Sequence, residues 1–142
     1  MKKVLALLLA AALALSFGGC AHGLTGRKGI VALYRKNEAA FATAVETGDY
    51  AAVKKLRGVA DVTVRDGGEE IEFYCGGAGL VPGSSYWGIR WEKDPEVFAA
   101  LAAASPEWSF DGTGYRFEQA EGDNRFYYEP LGNGFFYYEE HY

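Results

Sequence analysis

Two cysteines and two histidines are all the thiol and imidazole that 142 residues supply. A metal site needs clustered ligands, and these are scattered. His22 lies near the start, His141 is the penultimate residue, and with Cys75 they make no close-spaced ligand motif. An Asp-rich calcium loop is also missing. The glycine-bearing stretch Gly76 to Gly88 contains neither GxxxxGK[ST] nor GxGxxG, and it leads into a strand, so it reads as a hairpin loop and not a phosphate cradle. No GxSxG elbow surrounds Ser84 and Ser85. The expectation is a protein with no metal and no cofactor. No internal repeat is visible, and no second domain is expected.

What is present begins with an address. Lys2 and Lys3 precede an almost wholly apolar run, Val4 to Phe17, the length of a signal-peptide core and short for a membrane span. "SFGGC", Ser16 to Cys20, follows. It resembles the bacterial lipobox, with Phe17 where Leu is usual. That resemblance implies cleavage before Cys20 and a diacylglycerol on its thiol. An ordinary cleaved signal with a chance cysteine is the plainer alternative. Each buried acyl CH₂ contributes roughly 0.8 kcal/mol, so two or three chains would hold the protein to a membrane. The expected layout is residues 1–19 as signal, 20–29 as tether and 30–142 as one domain.

Without residues 1–19 the chain carries 12 Lys+Arg against 19 Asp+Glu, a net charge near −7. A basic footprint for nucleic acid or for anionic lipid is not expected from that balance. With Cys20 acylated, Cys75 has no disulfide partner, so it is either a buried inert thiol or a reactive one.

Periodicity outlines the domain. Ile30, Leu33, Tyr34, Asn37, Phe41, Ala44 and Val45 form a helical stripe over about Lys28 to Thr47, closed by Gly48. Asp49 caps a short second helix. Two alternating strands flank the hairpin signal Asp66-Gly67-Gly68 and put Ile71, Phe73 and Cys75 on one face. Trp87, Ile89 and Trp91 mark a third strand. "KDPEVFAALAAASP" is a helix with Asp94 as cap and Pro95 at its first position. Three further strands are predicted near 113–119, 125–131 and 135–142. The fold class is α+β: one largely antiparallel sheet of about six strands, with two or three helices packed on one face.

The closing run "FYYEPLGNGFFYYEEHY" is the densest feature. Aromatics pair well across strands, so alternation divides them between a core and an outer face. Phe126 with Tyr128, and Phe136 with Tyr138, are expected beneath the helices. Tyr74, Tyr86, Arg90, Tyr127 and Tyr137 then share the outer face, a tyrosine–arginine patch of the kind enriched at binding hot spots.

"GDNRFYYE", "GFFYYEEHY" and "FYCGGAGLVPGSSYWGIRW" resemble segments of a family of small, uncharacterised bacterial lipoproteins with a Tyr-rich C-terminal sheet. The resemblance implies a lipid-anchored, extracytoplasmic envelope protein and transfers no catalytic residue. The leading expectation is therefore a non-catalytic binding or envelope accessory domain. Its partner would be an envelope protein or a small ligand, with no nucleic acid involved. The alternative is a small thiol-dependent hydrolase using Cys75. A Cys75–His141 dyad would be its machinery, with strand parity placing the two on opposite faces.

Overall fold

The stripe read from the sequence does form one side of a helix. The structure, a computed structural model, describes residues 26–79 and 83–142, so the signal-like segment and Cys20 lie outside the described residues. Helix α1 spans Arg27–Thr47, beginning inside the stretch expected as tether. Asn37 leaves helical φ/ψ where its side-chain Nδ2 donates to the Leu33 carbonyl at 2.8 Å, a local competition that bends the helix. Gly48 adopts φ 71° and returns its N–H to the Ala44 carbonyl at 2.9 Å, a left-handed cap that favours glycine. Tyr50, not Asp49, holds the cap position of α2, Ala51–Lys54, and Asp49 Oδ1 accepts from the Ala51 N–H at 3.0 Å just ahead of it.

Seven strands follow: β1 Asp61–Arg65, β2 Glu70–Ala78, β3 Ser85–Glu92, β4 Trp108–Phe110, β5 Tyr115–Glu118, β6 Arg125–Gly132 and β7 Phe135–His141. They form one sheet in the order β1-β2-β3-β7-β6-β5-β4, antiparallel at every pairing. The expected α+β class holds. The added strand, β4, has three residues and carries no periodic signal of its own. The hairpin turn is where it was expected, with Asp66, Gly67 and Gly68 all at positive φ. Helix α3 covers Val97–Ala104, starting two residues beyond Pro95. Asp94 Oδ1 accepts from the Glu96 N–H instead of capping the helix proper.

The layering is finer than one helical face. Helices α1 and α2 cover the first face of the sheet. Ile30, Tyr34, Phe41 and Val53 pack there against Ile71, Phe73, Ile89 and Phe135. Each such side chain contributes roughly 1.5–3 kcal/mol through burial. The Tyr34 hydroxyl is buried in this core with no hydrogen-bond partner among the described residues, and burial pushes its pKa to about 12.

Helix α3 lies on the second face, over the β4–β6 half, where Phe98 meets Tyr128, Phe136 and Tyr138. Phe98 and Tyr128 stack at 4.1 Å and 16°. In β7, Phe135, Phe136, Tyr137 and Tyr138 are therefore all buried, with alternate residues on opposite faces. This corrects the expected facing of the C-terminal strands. Tyr127 and Tyr137 point toward the α1 core, and Tyr128 and Tyr138 lie beneath or beside α3.

Candidate functional site

The second face is only half covered. Beyond α3, toward the β1 edge, it opens into a shallow cleft of about 700 Å³. Glu72 and Tyr74 of β2, Tyr86 of β3 and Glu140 of β7 line it, with Arg65 and Tyr142 at its sides. Alternation places them there: Ile71, Phe73 and Cys75 turn into the first core, and their neighbours turn out.

The five residues expected as a binding patch divide between the two faces. Tyr74 and Tyr86 line the cleft, their rings 6.2 Å apart. Arg90 lies deeper on the same face, between the cleft and the α3 cluster. Tyr137 is fully buried on the first face, and Tyr127 is half-buried there against the same core. Tyr127 carries the Arg116 guanidinium 4.8 Å above its ring. The last two therefore belong to the first face, because the C-terminal strands are sandwiched between helices on both sides.

Charges on the second face are tied to one another. Arg90 donates from Nη2 to Glu70 at 2.7 Å and from Nε to Glu92, and its Nη1 lies 3.6 Å from Glu140. The same guanidinium lies 5.4 Å from the Tyr128 ring centre and 5.7 Å from that of Phe98. Burial alone would lower the Arg90 pKa, but Tyr128, Glu92 and Glu70 raise it overall. Arg65 Nη2 donates to Glu72 at 2.9 Å, which raises the arginine's pKa further. Glu72 also accepts from the Tyr138 hydroxyl, and Glu140 accepts from the hydroxyls of Tyr128 and Tyr142. Burial, then Glu140, pushes the Tyr142 hydroxyl to about 12. These phenols stay protonated and donate.

One feature invisible to local sequence reading crosses this face from β2 to β4, open at the cleft end and packed through Phe126 and Trp108 against the α3 cluster at the other. The rings of Tyr74, Tyr86, Tyr142, Phe126, Phe117 and Trp108 follow one another with centroid spacings of 6.2, 6.0, 5.1, 5.0 and 5.3 Å. Each comes from a neighbouring strand or its end, so the row lies across the sheet. All six are only partly buried or exposed. Register between distant strands sets this row, and no window of the sequence contains it.

Cys75 does not have the setting of a nucleophile. It is fully buried at a bulge of β2, its Sγ 3.6 Å from the Phe73 carbonyl, and burial pushes its thiol to about 12. His141 turns to the same first face as Cys75, contrary to the parity expected. It is exposed and bonds elsewhere: its Nδ1 lies 2.7 Å from Ser85 Oγ. That serine–histidine contact is a cross-strand pair of β3 and β7. No carboxylate holds the other ring nitrogen, so the orienting member of a catalytic set is lacking among the described residues. No cluster there could hold a metal ion, and no helix there is long and apolar enough to cross a membrane. No protein-family model, curated protein or solved structure matches the chain.

Proposed function

We propose that the protein is a lipid-anchored, extracytoplasmic domain that binds a neutral, hydroxyl-rich ligand, a saccharide chain, across the second face of its sheet, without catalysis. The observation that carries the ligand class is the aromatic row beside a cleft whose charges are already paired. The partly exposed rings of Tyr74, Tyr86 and Tyr142 at the cleft offer apolar surface for the C–H faces of sugar rings, and the stacked Phe117 and Phe126 extend it. The carboxylates and guanidinium groups between them are fixed by mutual hydrogen bonds, so they can meet hydroxyls without requiring a counter-charge. A strongly charged ligand would have to break those pairs first. Apolar walls with a few fixed polar groups are the usual composition of a small-ligand site. The anchor rests on the signal-like start, Cys20 and the resemblance to small bacterial lipoproteins.

Two experiments test the two halves. Cells fed labelled palmitate should label the wild type and not Cys20→Ser; equal labelling sinks the anchor. Retardation of the protein in gels containing soluble polysaccharides should be lost in Tyr86→Ala and Phe126→Ala. Retardation that is unchanged in both variants, or absent with every neutral glycan, sinks the ligand class.

A further inference from the structure

We infer that the outer surface of α1 and α2 docks on a plane of anionic lipid headgroups, so that the anchored protein stands on its helices with the cleft turned away from the membrane. The net charge near −7 hides a sharp division. Residues 26–57, the helical layer, carry seven Lys or Arg against three Asp or Glu. Residues 58–142, chiefly the sheet and α3, carry five against sixteen. The layer is therefore near +4 and the remainder near −11.

Four of the five cations in the sheet half are ion-paired, whereas in the helical layer Arg27, Arg35 and Lys54 are paired and four of the seven are not, among the described residues. In the sheet half, Arg65, Arg90, Lys93 and Arg116 each hold a carboxylate. In the helical layer Lys28, Lys36, Lys55 and Arg57 are exposed, and none has an ion-pair partner among the described residues. The outward stripe of α1 sets Lys28 and Arg35 among the exposed alanines Ala32, Ala39 and Ala42, a low surface that lets the cations approach a plane.

Overall negative charge does not oppose this arrangement. Screening limits surface attraction to about 8–10 Å, so a tethered protein feels chiefly the layer nearest the lipid. Gly26 is six residues from Cys20, and a chain of that length spans at most about 20 Å. The standing orientation rests on the anchored reading, but the affinity of the basic layer for anionic lipid is tested separately.

The full chain is mixed with vesicles of phosphatidylcholine alone or of phosphatidylcholine with phosphatidylglycerol. Exposed amines are then acylated with a water-soluble reagent and mapped by mass spectrometry. Lys28, Lys36 and Lys55 should react several-fold more slowly on the anionic vesicles, with Lys93 unchanged. Raising salt to about 1 M, where the screening length falls to about 3 Å, should restore their reactivity. The surface variant K28E/K36E/K55E should lose the preference for anionic vesicles, on the order of fivefold in partitioning for each cation removed. Equal acylation on both vesicles, equal slowing at Lys93, or no binding to either vesicle would overturn the inference. Failure of the anchor alone reads differently: attachment to phosphatidylcholine is lost while the preference for phosphatidylglycerol remains.

Discussion

Arg27, the first residue of α1, closes a two-pronged ion pair with Glu129 of β6, 102 residues away. Its Nη2 donates to Oε1 at 2.6 Å and its Nε to Oε2, while the Tyr127 hydroxyl adds a donor at 3.3 Å. Glu129 is only 8% exposed, so its carboxylate depends on these partners. The arginine itself is half exposed, which places the pair toward the weaker end of charge-assisted contacts. Arg27→Ala should lower unfolding free energy by about 1–2 kcal/mol in denaturant melts. A double-mutant cycle with Glu129→Ala should show clear coupling, and additive losses would mean the pair contributes nothing.

Adjacent tyrosines in β6 should behave differently, and the reason is the two-sided sheet. Tyr128 is 4% exposed, stacked on Phe98 and bonded to Glu140. Tyr128→Ala should cost about 3–5 kcal/mol through lost burial and a cavity. Tyr137→Ala should cost as much, since that ring is fully buried on the other face. Tyr127→Ala removes a half-buried ring and should cost about 1–2 kcal/mol. Thermal melts of the three variants rank them; a harmless Tyr137→Ala would contradict the first-face core.

Gly88 holds the sheet open for a ring. A Cβ at that position would meet the Phe73 carbonyl oxygen at 2.3 Å and Tyr138 Cε1 at 2.9 Å. Backbone cannot yield as a flexible side chain does, so Gly88→Ala should destabilise by about 1–3 kcal/mol. The Tyr138–Glu72 hydrogen bond beside the cleft should loosen with it. A melting temperature equal to wild type would mean that β3 has room to shift.

Cys75 should respond to alkaline pH. Its thiol titrates near 9 when free and near 12 in the fold. The native state thus keeps a proton that the unfolded chain releases, so the contribution is constant below about 9 and is lost as pH rises through 9 toward 12. Cys75→Ala should cost about 1–2 kcal/mol at neutral pH through a small cavity. The gap between wild type and variant should narrow above pH 9. Native alkylation should be slow until the protein unfolds. Rapid labelling of folded protein at neutral pH would show an accessible thiolate instead.

Local chemistry made the first half of the fold legible. Gly48 ends α1 where its φ requires a glycine, and the Asp66–Gly68 turn fixes the first hairpin, so β1 to β3 face as their alternation indicates. The C-terminal strands were harder for a definite reason. A strand covered on one side alternates apolar with polar, but one covered on both sides has apolar residues at every position. Phe135, Phe136, Tyr137 and Tyr138 are such a run, and nothing within it says which ring belongs to which core. Only the placement of Phe98 on α3, opposite α1, decides it. That ambiguity makes alternation alone group Tyr127 and Tyr137 with Tyr74, Tyr86 and Arg90. The aromatic row of the second face is not legible in the sequence, because its six rings come from six separate segments.

The position of β7 has a consequence for assembly. It lies between β3 and β6, yet it follows both in the chain. Two partial sheets, β1–β3 and β4–β6, can each zip from short local turns. They have no common edge until β7 arrives, and its pairing with β3 must close a loop from Trp91 to Phe135. Loops of that kind are slow to close. Phe135 also supplies the ring that meets Tyr34 and Phe41, so α1 has an incomplete seat until then. A chain that emerges from its N-terminus onward during synthesis would stay open, and hazardous in its exposed strand edges, until this keystone emerged.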